Sequence, residues 1–307
     1  MRLASVTLLL ASACTTPGTE FYGGDDTPID NGGGGGSGGC TRITSVTPVA
    51  PLIQLVVDGS GTMNGNGGYN AVQNALYKSD GTGLLTTYAS KAKYGATAYT
   101  SNGTCPNLHA TPCAVDNMAN VKTAIDAGKG VNGTDPLPET LTSLHGTYGA
   151  MTDKYRNIVI VTDGVANSCG GGGDGTNAVT DTTTLYADGV TTYIIGYGNL
   201  GNWGQNMANA GVGGSGGTLY TANDAAGVKT NYQTIFDLII DCKLETDQAI
   251  DINGASSDTL SMDGTALVSG TDWKIVDDHT IQLIGTACTN YKAATTAPTF
   301  TASICGT

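Results

Sequence analysis

The chain has 307 residues, of which 26 are acidic and 13 are Lys or Arg, and its pI is near 4.3. Too few basic residues are present to neutralise a phosphate backbone, so the composition excludes a nucleic-acid-binding protein. The length is sufficient for one large domain and a smaller one.

The first residues, MRLASVTLLLASAC, are typical of an export signal, because one Arg precedes an apolar stretch that is too short to cross a bilayer. The ending LLLASAC resembles a bacterial lipobox, in which the peptide is cut before the cysteine and that cysteine is acylated. The resemblance implies a signal peptide over residues 1–13 and a lipid on Cys14. Because Thr15 and not Asp follows that cysteine, we expect anchoring at an outer membrane. The alternative is an ordinary secreted protein that is cleaved near Ala13.

Residues 14–39 are predicted to form a flexible tether. The segment ends in a run of Gly and Ser, from which no core can be built. The membrane would be contacted only through the lipid anchor.

From residue 40 to residue 242, apolar runs alternate with segments of helical periodicity. Strands are predicted at 52–57, 93–100, 157–163, 191–198 and 218–222. Helices are indicated by apolar positions three or four residues apart, in the sets Val72/Ala75/Leu76, Met118/Val121/Ile125, Leu137/Leu141/Leu144/Tyr148 and Val228/Tyr232/Ile235/Ile239. This alternation predicts a doubly wound α/β fold, with a mostly parallel sheet and helices on both faces. In such sheets, ligands bind beyond the carboxyl ends of the strands.

Oxygen-bearing side chains occur at three of these loops. Asp58, Ser60 and Thr62 alternate along the loop that leaves the first strand. Thr134 immediately precedes a helix, and Asp163 ends another apolar strand. Two carboxylates and three hydroxyls suit a hard cation such as Mg²⁺ or Mn²⁺, which takes about six oxygen ligands, and they leave one position for water or a ligand.

In this order the three-part motif resembles the von Willebrand factor A family, over about residues 45 to 241. Thr62 stands where the family usually has Ser and supplies the same hydroxyl. The resemblance implies a metal-ion-dependent adhesion site that binds a partner's carboxylate through Mg²⁺ or Mn²⁺. It also implies that Ser60, Thr62 and Thr134 ligate the ion directly, and that Asp58 and Asp163 do so directly or through water.

The sequence lacks residues that two common enzymatic motifs require. A phosphoryl-accepting aspartate would need a second Asp where Ser60 stands, and a G-x-S-x-G nucleophile would need Gly where Asp58 stands. The three histidines, His109, His145 and His279, have no recognisable catalytic context. We therefore expect a binding or adhesion protein and no enzyme. The alternative is a structural envelope scaffold whose metal site is vestigial.

Two further segments border the expected site. The Gly-rich loop 167–177 is either a specificity loop or plain surface, and Cys169 within it could be anchored to Cys105 or Cys113. Asn202 and Trp203 are expected in the next rim loop, where the Trp contacts a ligand or packs in the core.

Disulfides are expected in an exported chain with eight cysteines and no C-x-x-C motif. The shortest candidate pairs are Cys105–Cys113 and Cys288–Cys305. Because seven cysteines remain besides Cys14, at least one thiol is left over or pairs with another chain. Residues 243–307 consist of short alternating runs, with the turn pairs Asn253-Gly254 and Asp263-Gly264. They predict a small antiparallel β module that is stapled by cysteines.

Overall fold

The computed structural model of the chain describes residues 40–77, 83–130, 133–164, 166–170, 173, 175–253 and 257–307. The predicted signal peptide, the predicted lipidation at Cys14 and the predicted tether lie outside these residues.

The described chain begins with two short strands, β1 (Arg42–Ile43) and β2 (Val46–Pro48), and then enters a six-stranded central sheet. The strands of this sheet are β3 (Leu52–Asp58), β4 (Lys93–Thr100), β5 (Asn107–Ala114), β6 (Arg156–Thr162), β7 (Val190–Tyr197) and β8 (Leu219–Ala222). Their spatial order is β5-β4-β3-β6-β7-β8, and only β5 runs antiparallel to its neighbour.

Helices cover both faces of the central sheet. They are α1 (Gly61–Gly65), α2 (Gly68–Tyr77), α3 (Leu84–Tyr88), α4 (Met118–Ala127), α5 (Leu137–Tyr148), α6 (Thr176–Ala187), α7 (Gly201–Ala210) and α8 (Ala225–Ile239). Helix α2 packs against α8 on one face, and α5, α6 and α7 pack in sequence on the other. In the part of the chain that the structure describes, no helix combines the length and the apolar character needed to cross a membrane.

Strand β3 shows why the sheet is central, because all seven of its residues are buried. Leu55 and Val57 join the core on the α2/α8 face, whereas Leu52 and Val56 join the core on the α5 face. Successive side chains of a strand point to opposite faces, so a strand that is covered on both sides must be apolar throughout. The predicted α/β fold class is thus confirmed.

Several elements differ from the sequence-based expectation. Strand β5 was not predicted, because it lies at the sheet edge and its polar residues show no apolar run. Helix α6 is rich in Thr, which obscures its periodicity. Trp203 was expected in a loop but lies in α7, where only 8% of it is exposed. It packs close to Gly175, so it belongs to the core.

The C-terminal segment forms two four-stranded antiparallel sheets. Its elements are β9 (Lys243–Thr246), β10 (Thr259–Met262), β11 (Thr265–Leu267), β12 (Trp273–Asp277), β13 (Thr280–Leu283), α9 (Gly285–Ala293) and β14 (Phe300–Cys305). The sheet orders are β1-β14-β10-β11 and β12-β13-β9-β2. Strands from both ends of the described chain therefore build this module. Asp263-Gly264 turns between β10 and β11 as predicted, whereas Gly254 of the other predicted turn lies outside the described residues.

The cysteine pairing corrects both candidate pairs. The disulfides join Cys40 to Cys305, Cys105 to Cys169 and Cys242 to Cys288. Cys105 and Cys113 cannot meet, because the extended strand β5 separates them. Cys288 lies on α9 and reaches the end of α8, whereas Cys305 on β14 lies beside the start of the described chain. The predicted anchoring of Cys169 to Cys105, one of two alternatives, is confirmed.

Cys113 is expected to keep a protected thiol. Among the described cysteines it is the one outside the three disulfides, only 7% of it is exposed, and its Sγ lies 2.9 Å from the Tyr148 hydroxyl. Alkylation of the native chain should leave Cys113 unmodified, and alkylation after denaturation should modify it fully, as read by peptide mass spectrometry. The disulfide-linked peptide of Cys105 and Cys169 is the internal control. Equal labelling of Cys113 before and after denaturation would contradict its burial.

Candidate metal centre

The sheet register places three polar side chains side by side at the carboxyl end of the sheet. Asp58, the last residue of β3, pairs with Tyr99 of β4. On its other side, Val57 pairs with Val161 of β6, so Thr162 is the next neighbour of Asp58. Side chains at matched positions of adjacent strands lie on the same face. The result is a row of Tyr99, Asp58 and Thr162 under the loop that precedes α5.

Asp58 is a fully buried carboxylate. Its Oδ1 accepts a hydrogen bond from the Ser60 backbone N–H at 2.7 Å, and its Oδ2 accepts one from the Thr162 hydroxyl at 2.9 Å. Burial raises the pKa of Asp58 to about 6, against the lowering effect of the hydrogen bonds from Ser60, and the charge of Asp163 raises this pKa further. Among the described residues, no ion pair involves Asp58 or Asp163. The negative charge is therefore stabilised only by dipoles.

Hydrogen bonds connect the predicted residues Ser60, Thr62 and Asp163 in a line that runs from the buried Asp58 to the protein surface. Ser60 caps α1, and its hydroxyl lies 3.1 Å from that of Thr62. The Thr62 hydroxyl donates to Asp163 Oδ1 at 3.1 Å, while the Asn66 amide donates to Asp163 Oδ2 at 3.0 Å. Ser60 is buried, Asp163 is half-buried and Thr62 is exposed. Four of the five predicted residues thus lie together, along a gradient from interior to solvent.

Thr134, the fifth predicted residue, is exposed and turned toward a different partner. Its backbone N–H and its hydroxyl both bond the Ser101 hydroxyl, at 2.6 and 3.1 Å. The next residue, Asp135, is buried, and its Oδ2 accepts from the Thr162 hydroxyl at 2.9 Å. Sequence reasoning missed both Asp135 and Thr162. Each lies directly beside a residue of the motif, and a polar side chain that ends a buried strand, as Thr162 does, was the available signal.

Close backbone packing fixes Gly59, which lies between the end of β3 at Asp58 and the start of α1. A Cβ on Gly59 would lie 2.1 Å from the Gly128 carbonyl oxygen and 2.9 Å from that of Tyr99. The Gly59 N–H donates to the Tyr99 carbonyl at 2.7 Å, and the Gly59 carbonyl accepts from Gly130 at 3.0 Å. Since no side chain fits here, Gly59 aligns the Asp58 and Ser60 side chains.

The segment around Cys169 is attached to α5, to the residues before α5 and to Cys105. The Cys169 N–H donates to Glu139 of α5 at 2.7 Å, and the disulfide ties it to Cys105. The Asn167 N–H donates to the Asp135 carbonyl at 2.8 Å. The segment before α5 and the segment after β6 are therefore held together beside the predicted site.

The donor set can be compared with the needs of a divalent cation. Within the described ranges, no three His, Cys, Asp or Glu side chains are placed to hold a metal ion by themselves. The hydroxyls of Ser60 and Thr62 would have to supply part of the coordination, as expected for Mg²⁺ or Mn²⁺, which prefer oxygen. Asp58 and Asp163 would supply the charge. The residues present fit such an ion.

Comparison with known proteins identifies likenesses of fold. No family model and no curated protein matches the chain. The pilus adhesin SpaC from Lactobacillus rhamnosus GG, in its open conformation, superposes with a TM-score of 0.51 and 15% identity, over 85% of this chain and 39% of SpaC. A von Willebrand factor type A protein from Catenulispora acidiphila superposes with a TM-score of 0.48 and 14% identity, over 86% of this chain and 61% of that chain.

A third structure is proximal thread matrix protein 1 from the mussel byssus, with a zinc-occupied MIDAS motif. Its TM-score is 0.43 and its identity is 16%, over 66% of this chain and 50% of that chain. The chain spans about two fifths of the length of SpaC. At 15% identity, the likeness to SpaC concerns the fold alone.

Substituting Gly59 with Ala should destabilise the chain by on the order of 1–3 kcal/mol, because the new methyl group must displace the backbone at Gly128. Urea unfolding in chelator measures the change. Gly65→Ala is the matched control, because its Cβ would meet nothing within 4 Å and it lies at the end of α1. That control should be neutral or slightly stabilising. Equal effects of the two substitutions would argue against the tight packing.

Metal-free stability should depend on pH through Asp58. Its ordinary pKa of 3.8 is raised to about 6 in the fold, so its contribution to stability is fully present below 3.8 and is lost as the pH rises through about 6. Asp58→Asn removes the buried charge. In EDTA, this variant should be more stable than the wild type at about pH 7.5, and the difference should shrink at about pH 5.

Asp277→Asn is the control for this titration. The backbone N–H of His279 donates a hydrogen bond to Asp277 and lowers the pKa of its carboxyl group. The ionised carboxylate therefore stabilises the fold above its unfolded pKa, and this stabilisation is lost only as the pH falls through the lowered pKa. The stability difference between Asp277→Asn and the wild type should therefore not change between the two pH values. A difference for Asp58→Asn that is equally independent of pH would show that Asp58 is not strained by burial.

Proposed function

We propose that the protein is an exported, surface-anchored binding or adhesion protein. Its von Willebrand A-like domain engages a carboxylate-bearing protein or surface ligand through a bound Mg²⁺ or Mn²⁺. The proposal assigns it no enzymatic activity. Export and a lipid anchor on Cys14, at an outer membrane, are parts of the proposal that rest on the sequence of the first residues alone.

One observation carries the metal-binding part, namely the fully buried carboxylate of Asp58 with no cationic partner among the described residues. A buried charge of this kind is costly unless it is paired or coordinates a metal. The hydroxyls of Ser60 and Thr62 and the carboxylate of Asp163 continue outward from it. A divalent ion at this place would neutralise both carboxylates and keep a side toward solvent, where Thr62 is exposed.

The open side of the site supports a macromolecular ligand. With two protein carboxylates, a divalent ion stays electrophilic toward an incoming Asp or Glu, whereas more carboxylates would weaken that attraction. The fold likeness to a pilus adhesin is compatible with this role. The proposed ligand is therefore characterised chemically by an exposed carboxylate.

A second function, a structural envelope scaffold with a vestigial site, is favoured by a separate observation. The Thr134 hydroxyl bonds Ser101, and the Asn66 amide occupies one oxygen of Asp163. The Thr134 hydroxyl would have to rotate away from Ser101, and Asp163 would have to bind the ion and the Asn66 amide together, before all the oxygens could face one ion. A scaffold would leave these hydrogen bonds in place permanently.

Calorimetric titration of MgCl₂ and MnCl₂ into the full chain distinguishes the two functions. The proposal expects binding at one site, and it expects this binding to be lost in Asp163→Ala, whose carboxylate is only half-buried. Asp277→Asn, in the β12–β13 hairpin, is the control and should bind as the wild type does. A folded wild type that binds neither ion would leave the scaffold as the better account.

Ligand chemistry is tested with carboxylated and amide-capped polystyrene beads. Retention of the chain on carboxylated beads in Mg²⁺, with release by EDTA and no retention on amide-capped beads, is the expected result. Because the chain is acidic, its charge alone disfavours carboxylated beads. Retention that is unaffected by EDTA would rule out a metal-mediated contact.

A further inference from the structure

We propose that Asp135 is a positioning residue of the metal centre, which acts through the Thr162 hydroxyl on Asp58. This inference rests on the proposed function, since it concerns the same site. It differs from the family resemblance, which assigns the ligand of this loop to Thr134. Four observations carry it.

The first observation is a shared hydroxyl. The Thr162 Oγ1 lies 2.9 Å from Asp58 Oδ2 and 2.9 Å from Asp135 Oδ2. A hydroxyl has one hydrogen, so it can donate to only one of these oxygens at a time. The two carboxyl groups are therefore held close together by a single donor, and the charge of Asp58 acts on Asp135.

The second observation is an unpartnered oxygen in the interior. Asp135 is only 4% exposed, and its Oδ1 has no hydrogen-bond partner of normal geometry among the described residues. Burial raises the pKa of Asp135 well above its ordinary value, and the nearby Tyr99 hydroxyl lowers it. Leaving a buried carboxylate oxygen unsatisfied is costly, and such groups in folded proteins call for an explanation. A cation at the neighbouring site would stabilise the carboxylates of Asp135 and Asp58 alike.

The third observation is the placement of Asp135 over the strand ends. Tyr99, Asp58 and Thr162 form one row across β4, β3 and β6, and Asp135 contacts this row from the loop before α5. Its backbone carbonyl meanwhile accepts from Asn167. Asp135 therefore joins the loop before α5 to the end of β6 and to the segment after β6, a position from which the orientation of the neighbouring Asp58 carboxylate can be fixed.

The fourth observation concerns Thr134. Its hydroxyl and backbone N–H are both committed to Ser101. Asp135, one residue later, is the member of this loop that is connected to Asp58 through Thr162. The contribution of the loop to the centre thus comes from Asp135, through Thr162.

The test is a double-mutant cycle on Mn²⁺ affinity, measured by calorimetry on the full chain. Asp135→Asn and Thr162→Val should each weaken Mn²⁺ binding by about tenfold, the usual effect of removing a partner of a ligating carboxylate. Since the two residues act in one chain of contacts, the double variant should be no weaker than either single variant. Thr162→Ser keeps the hydroxyl and should bind within about twofold of the wild type.

Asp258→Asn is the matched control for loss of a buried carboxylate. The Asp258 side chain is 2% exposed and bonds Arg42 in the C-terminal module, away from the strand ends. This control should lower the melting temperature in EDTA and leave Mn²⁺ affinity unchanged. Asp135→Asn should show the reverse pattern, with no loss of melting temperature in EDTA and a smaller Mn²⁺-induced rise.

The outcomes separate the two proposals. Mn²⁺ binding by the wild type with unchanged affinity in Asp135→Asn, or with additive losses in the double variant, overturns the positioning role and leaves the proposed function intact. A lower melting temperature of Asp135→Asn in EDTA, together with unchanged affinity, would make Asp135 purely structural. A folded wild type that does not bind Mn²⁺ overturns the proposed function and this inference together.

Discussion

The arrangement of the rim depends on one constraint, a carboxylate at the end of a strand that is buried on both faces. Asp58 can leave neither the sheet nor the interior, because every other residue of β3 is also buried. Two hydrogen bonds from Ser60 and Thr162 offset part of the cost of its charge. Dipoles alone do not restore the solvation that the carboxylate loses on burial, as its raised pKa shows. Neutralisation by a cation or a proton is the remaining route.

Close backbone contacts next to Asp58 hold this carboxylate in its buried position. Gly59 follows the carboxylate directly and packs against Gly128 and the Tyr99 carbonyl, so the chain turns without room for adjustment. Ser60 then begins α1 and caps it. In consequence, the backbone positions of Asp58 and Ser60 are set by the sheet register and by the close packing of Gly59. Such preorganisation lowers the entropic cost of ligand binding.

The sequence allowed the central part of this structure to be predicted, because its physical cause is local. A continuous apolar run such as 52–57 must be covered on both faces, and the carboxyl ends of parallel strands share one rim, so Asp58 and Asp163 had to approach each other. Non-local features were not accessible in the same way. The pairing of Cys105 with Cys169 depends on the edge strand β5, whose polar sequence shows no apolar run. The contact of Asp135 with Thr162 depends on how the loop before α5 crosses the strand ends.

The same geometry separates the interior of the site from its surface. Asp58, Thr162 and Asp135 lie beneath, whereas Thr62 and Thr134 are exposed above them. The segment that carries Cys169 borders this surface and is held by the disulfide and by Glu139. Substitutions of the buried residues would therefore alter the interior of the site, whereas substitutions of Thr62 or Thr134 would alter the surface that solvent reaches. Strands β2 and β9, which precede β3 and follow α8, pair with each other in one of the C-terminal sheets. The hydrogen bonds that connect Ser60 with Thr62 and Thr162 with Asp58 are all formed within the central domain, so they do not involve these sheets.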